Sequence, residues 1–261
     1  MEKIKVFISD PQVLFREGIH FTLSGEDDFE VTGEATNNED AYTFVESNPP
    51  NIAILNIKSG KLSGADVTCR IKRNFPSVAV ILVTEKGDEA ELFTAMRCGA
   101  SACISKDADP EYLLDTIRVV AQGGQPLIDT LLSGGMAARV LAEFEKLAPL
   151  NEQLDNLLAR LSPKEIEVLR YIADGNSLEQ VVSKLNSNEA SVRRQLRLII
   201  NKMVANDQSK ALIETAQRNF PSIITSAAMA YKAAAGEYLT RDEFNEFKDS
   251  LMQRLKSLLP K

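Results

Sequence analysis

The chain has 261 residues, a net charge of −7, and 44% hydrophobic and 26% charged residues, enough for two globular domains of ordinary composition. No leader-like start precedes Ile4 and no apolar run nears the roughly 18 residues of a membrane span, so secretion and membrane insertion are not expected and a cytoplasmic location is. The charge is uneven: residues 1–125 hold 12 Lys and Arg against 20 Asp and Glu, while 161–218 hold 9 against 7, so any contact with nucleic acid falls to the second half.

In chain order, β-rich apolar runs occur at 4–8, 30–33, 52–57, 78–84 and 102–105. Helical patterns alternate with them near 14–24, 38–47, 64–74, 88–97 and 110–122. Five strands alternating with five helices predict an α/β fold, a doubly wound five-stranded parallel sheet. Ligands of such sheets sit beyond the carboxyl ends of the strands. Asp10, Asn56, Thr84 and Lys106 all stand at those ends.

Gly123-Gly124 and Pro126 close this first domain, 1–125. A helical linker over 126–160 is expected, helical at about 129–147 and broken at Pro149. Leu150, Leu154, Leu157 and Leu161 then make a short heptad-like seam. That stripe serves equally a helix packed on its own domain or a dimer seam. In 161–218, Ser162-Pro163-Lys164-Glu165 marks a helix start, with Ser as cap and Pro at the first helical position. Further helices are expected at 177–185, 189–204 and 209–216, a second, all-α domain. A helical extension, 219–261, follows. Thr240 and Glu243 form a capping-box pattern there, and Phe244, Phe247, Leu251, Leu255 and Leu258 share one face. That face would cover its own domain or a dimer mate. Its polar side mixes both charge signs, which disfavours a membrane surface.

Phe15-Arg16-Glu17-Gly18, Thr84, Cys98-Gly99-Ala100 and Lys106-Asp107 together resemble the receiver domain of LuxR/FixJ-type bacterial response regulators. The resemblance implies a flavodoxin-like receiver fold with a phosphorylation site. In the family two adjacent acids and an acceptor aspartate hold Mg²⁺, while a Thr/Ser hydroxyl and a Lys bind the phosphoryl oxygens. Here Asp10 is the first acid, Pro11 takes the place of the second, and Asn56 stands at the acceptor position. Thr84 and Lys106 are present. An amide is no nucleophile, and one carboxylate is a poor Mg²⁺ site. Ser59-Gly60 and Cys103 also depart from the pattern. The expectation is a degenerate pocket lacking the phosphoacceptor, with Lys106 turned to Asp10. Asp66 and Asp88 read as helix-end residues instead of substitute acceptors.

Residues 161–216 resemble the LuxR-type helix-turn-helix domain. Leu161–Leu169 matches its opening helix and Ser191-Val192-Arg193-Arg194-Gln195 falls in its recognition helix. Val182 and Asn186-Ser187 depart from it. Arg193, Arg194, Gln195, Arg197 and Lys202 are the residues expected to meet duplex DNA, and Asn188 to cap that helix.

His20, the single histidine, reads as a packing or surface residue, and no Cys/His set has zinc spacing. Three scattered cysteines fit reduced thiols. No enzyme site, metal site or cofactor is expected. The reading is an atypical response regulator, a DNA-binding transcriptional regulator acting without aspartyl phosphorylation. A homodimer is expected, with a protein partner at the receiver-like domain as a further option. The alternative is a protein-interaction or oligomerisation module that no longer binds DNA.

Overall fold

The computed structural model describes residues 3–58, 61–85, 88–153 and 158–219. Residues Met1–Gln208 form one compact unit and Ser209–Lys261 a second. Five parallel strands, β1 (Ile4–Ser9), β2 (Phe29–Ala35), β3 (Ile52–Asn56), β4 (Ala79–Thr84) and β5 (Ala102–Ser105), lie in the order β2-β1-β3-β4-β5. Helices α1 (Val13–Ser24), α2 (Asn38–Ser47), α3 (Gly64–Asn74), α4 (Glu89–Cys98) and α5 (Pro110–Ala121) alternate with them. The expected α/β fold is therefore present, with the order reversing between β1 and β3.

Side chains alternate across each strand and so feed two cores. Val6 and Ile8 join Ile19, Leu23 and Ile117 on the α1/α5 side. Phe7, Ala53, Leu55 and Leu82 join Val67, Ile71, Phe93 and Met96 on the other. Short polar side chains start the helices by accepting orphan backbone N–H groups. Asn37 accepts from the Asp40 N–H, Asp88 from Glu91, Asp109 from Glu111, and Ser63 makes a capping box with Asp66. Asp66 and Asp88 are thus helix-end residues, as expected. Gly99 closes α4 at φ 82°, a left-handed conformation in which a Cβ is disfavoured.

The connector is helical, as expected, and it is packed. A 3₁₀ helix at Pro126–Leu132 and helix α6 (Gly134–Gln153) bury Leu127, Ile128, Leu131, Met136, Ala137 and Val140 in the same core as β1, β3 and β4. That core continues into α7 (Pro163–Ala173), α8 (Leu178–Lys184) and α9 (Glu189–Asn219), through Leu169, Ile172, Leu196 and Ile199. The sheet domain and the helical domain therefore share apolar packing. The Arg139 guanidinium also lies over the Phe93 ring at 4.2 Å, tying α6 to α4.

Two expected breaks are absent. Pro149 lies inside α6. Its ring removes one backbone donor, but the residue four positions earlier, Glu145, is exposed, so water can meet the released carbonyl. The separate helices at 189–204 and 209–216 are one helix, α9. No Gly or Pro falls within it, and Asn206 and Asp207, in the expected gap, are engaged elsewhere. The Asn206 amide bonds both backbone groups of Ala159, at 2.7 and 3.0 Å, and Asp207 pairs with Arg97. Of the leucine seam only Leu161 has a described side chain, half-buried against the core. Residues 154 and 157, the side chain of Leu150, and the expected helices beyond Phe220 lie outside the described residues. Among the described residues no helix is long and apolar enough to cross a membrane.

Candidate functional site

The strand order places Asp10 and Asn56 side by side, on adjacent strand ends across the switch point. Both are buried, at 1% and 5% exposure. The Asn56 amide donates to Asp10, Nδ2 to Oδ2 at 2.7 Å. Its own carbonyl oxygen accepts from the Lys58 N–H at 2.8 Å. Asp10 also accepts the Gln12 N–H at 2.8 Å. Lys106 Nζ reaches both Asp10 oxygens, at 3.1 and 3.2 Å, the arrangement expected of it. Pro11 is exposed and offers no side-chain donor or acceptor.

Thr84 turns aside: its hydroxyl donates to the Ile104 carbonyl at 3.5 Å. Cys103 lies next to it, and burial pushes that thiol up to about 12 against the smaller, lowering influence of the Thr84 hydroxyl. The five site residues thus stand at one end of the sheet: the side chains of Asn56 and Lys106 both bond Asp10, while Thr84 meets Lys106 only through its backbone carbonyl, which accepts the Lys106 N–H at 2.9 Å.

Several neighbours were not legible in the sequence. Glu85 makes a second ion pair with Lys106, at 3.0 Å, so one ammonium is shared by two carboxylates. The Phe15 ring lies 5.1 Å beneath the same ammonium. Arg16 donates to the Asp10 carbonyl at 2.8 Å and pairs with Glu34. His20 holds the other oxygen of Glu34, a surface role. Buried Asn38 donates to the Asn56 carbonyl at 2.9 Å. Gly64 packs so close that a Cβ would stand 2.3 Å from that carbonyl oxygen. Only the positions flanking a strand end, by their spacing, could have drawn attention to Glu85.

The receiver family's Mg²⁺ does not fit these residues. A hard cation needs several oxygens, mostly carboxylate. Asp10 is the one carboxylate facing Asn56, and both its oxygens are taken by N–H donors. No step is therefore derived through that metal.

In the helical domain Ser162 and Glu165 form the capping box of α7, and Asn188 Oδ1 accepts the Ser191 N–H at 2.8 Å at the start of α9. Asn186 takes a left-handed φ of 46° in the turn, a conformation that asparagine tolerates. Val192, Leu196, Ile199, Ile200 and Met203 bury one face of α9. Arg194 and Arg197 project on the exposed face, with no ion pair among the described residues, and Gln195 is half-buried. Arg193 is engaged by Glu189 at 2.8 Å and by Asp129 of the connector. Lys202, also expected to meet DNA, is engaged within the domain. It pairs at 2.6 Å with Glu165, which is only 2% exposed, and so serves the domain interior.

A receiver sheet whose strand ends gather Asp10, Asn56 and Lys106, joined to a capped helix-turn-helix, defines the response-regulator class. Residues 6–118 match the response regulator receiver domain and residues 159–215 match the bacterial regulatory proteins of the luxR family. The chain is a LuxR-family response regulator, a transcriptional regulator and not an enzyme. It is 27% identical over 232 residues to the transcriptional regulatory protein DegU of Brevibacillus brevis, covering 85% of this chain and 96% of that one. It is 28% identical over 214 residues to the transcriptional regulatory protein LnrK of Bacillus subtilis, covering 80% and 95%. Among solved structures, the RcsB response regulator of Salmonella typhimurium aligns at 23% identity over 78% of this chain and 93% of its own, with a TM-score of 0.45.

Proposed function

We propose that this protein is a cytoplasmic, DNA-binding transcriptional regulator that acts without aspartyl phosphorylation, as a homodimer. The observation that carries the reading is the 2.7 Å bond from Asn56 Nδ2 to Asp10. The acceptor position holds a neutral donor, and that donor is already satisfied by the carboxylate that would otherwise hold a cation. Phosphoryl transfer needs an anionic oxygen in line with the phosphorus, and Asn56 has none to offer. The pocket is instead a closed hydrogen-bonded cluster.

DNA contact is assigned to the start of α9, through Arg194, Arg197 and Gln195, with Arg193 available once Asp129 releases it. Two such helices about 34 Å apart would meet successive major grooves. Leu14 and Phe21 on α1, with Tyr112 and Val119 on α5, present exposed apolar side chains. Such a face supports a protein partner at the receiver domain, a second copy included.

One observation favours the second reading, a protein-interaction module. Arg193 and Lys202 are both neutralised by acids, which thins the positive face available to phosphates. A titration of purified protein against mixed genomic duplex fragments at two salt concentrations separates the two. Enrichment of a recurring palindrome, with affinity falling steeply in salt, establishes the regulator. Absence of binding at low salt establishes the module.

A further inference from the structure

Helices α3, α4 and α9 converge at one point, and two thiols lie there. Cys69 sits in α3, half-buried, and its Sγ donates to Asp207 Oδ2 of α9 at 3.8 Å. Cys98 is the last residue of α4 and is 7% exposed. Around it, Arg97 Nε holds Asp207 Oδ1 at 3.0 Å. A Cβ on Gly99 would lie 3.4 Å from Lys72 Cγ, one turn beyond Cys69, and 3.4 Å from the Val204 methyls. The turn of α3 carrying Cys69 therefore faces the end of α4 carrying Cys98. The neighbouring Cys69 thiol, together with burial, holds Cys98 well above the ordinary thiol range.

We propose that Cys69 and Cys98 are a redox modification site, an intramolecular disulfide between α3 and α4 formed by exchange with a low-molecular-weight disulfide. Half-buried Cys69 reacts first. It loses its proton and attacks one sulfur of the small disulfide, giving a mixed disulfide and one small thiol. Cys98 then loses its proton to the medium and attacks the Cys69 sulfur, and the second small thiol leaves. Two protein thiols are oxidised and one small disulfide is reduced to two thiols. Cys98 is buried and Cys69 only half-buried, so a small disulfide meets Cys69 first, which sets the order. The bond would also withdraw the Cys69 thiol from Asp207, the acid that seats α9 against α4. Cys103 stands apart on β5 beside Thr84 and takes no part.

The test equilibrates the full chain with oxidised and reduced glutathione over a range of ratios. Remaining thiols are alkylated under denaturing conditions, and intact mass and peptide maps are read. The expected result is joint loss of two of the three thiols, a mass lower by two hydrogens, and a cross-link between the peptides of Cys69 and Cys98, with Cys103 alkylated. Cys69→Ala should abolish the cross-link and leave Cys98 alkylated, while Cys103→Ala should retain it. Three thiols persisting at every ratio would overturn the proposal. So would a lasting glutathione adduct on Cys69, or a bridge that uses Cys103 or a second chain.

Discussion

Asn56 donates its amide to Asp10 across the switch point of the sheet, at 2.7 Å. Replacing the donor by an acid inverts the contact. In Asn56→Asp two buried carboxylates would face each other with one ammonium between them. We expect the variant to be less stable than the parent by about 1–3 kcal/mol near neutral pH. The new acid has a folded pKa raised by its neighbour above the unfolded value of about 3.9. Between those two values the folded state holds more protons than the unfolded one, so stability falls as pH rises. The deficit should therefore shrink as the pH drops through that window. Urea unfolding at neutral and mildly acidic pH measures it, and a deficit that grows on acidification contradicts the reading.

Lys106 holds two acids of unequal burial. Asp10 is nearly inaccessible, whereas the Glu85 side chain is 57% exposed. Removing the cation leaves a buried carboxylate with N–H partners only. Lys106→Met should destabilise by about 3 kcal/mol, whereas Glu85→Gln, a surface pair, should change stability by less than about 1 kcal/mol. Adding Asp10→Asn to Lys106→Met should restore part of the loss, because the two sites share one interaction. Equal effects for Lys106→Met and Glu85→Gln would place the pair outside the pocket's stability.

The periodicities of 2 and 3.6 carried the five strands and five helices, because each has one buried face and regular caps. Asp10, Asn56 and Lys106 were legible for the same reason: strand ends converge whatever the loops do. Glu85 was not, because an exposed acid on a loop carries no pattern that announces its partner. The helices of the connector were legible, but not what they pack on, because Leu127, Ile128 and Leu131 bear an apolar stripe that does not say which surface covers it. The break before 209 failed on partners distant in sequence. Asn206 and Asp207 look like capping residues locally, but their side chains bond Ala159 and Arg97, 47 and 110 positions away. Local propensity cannot see such contacts.

Glu34 gives a pH dependence of opposite sign. Burial raises its pKa, but the hydrogen bonds and charges of His20 and Arg16 outweigh this and hold it below the ordinary carboxylate range. A depressed folded pKa means the stabilisation is fully present above the unfolded value, about 4.3, and is lost as pH falls through the folded one. Glu34→Gln should therefore be less stable than the parent by about 1–2 kcal/mol near neutral pH. The two should converge in acid. Unfolding curves from pH 7 downward read this, and a gap that persists at the lowest pH would assign the loss to packing.

Arginines 194 and 197 and Lys202 lie on one helix but answer to different partners. Arg194→Ala and Arg197→Ala remove exposed cations, so each should leave stability within about 0.5 kcal/mol. Each should weaken duplex binding and reduce the slope of log affinity against log salt by about 1. Lys202→Met instead strands Glu165, a buried acid whose other partner is the Ser162 N–H at 2.6 Å. It should destabilise the helical domain by about 3 kcal/mol. Where the domain remains folded, its salt slope should match the parent's. The comparison of slopes decides the assignment, because a structural residue alters how much protein is folded and a phosphate contact alters how many counterions are released. If Lys202→Met lowered the slope at unchanged stability, the ion pair with Glu165 would open on DNA, and Lys202 would rejoin Arg194 and Arg197 as a phosphate contact.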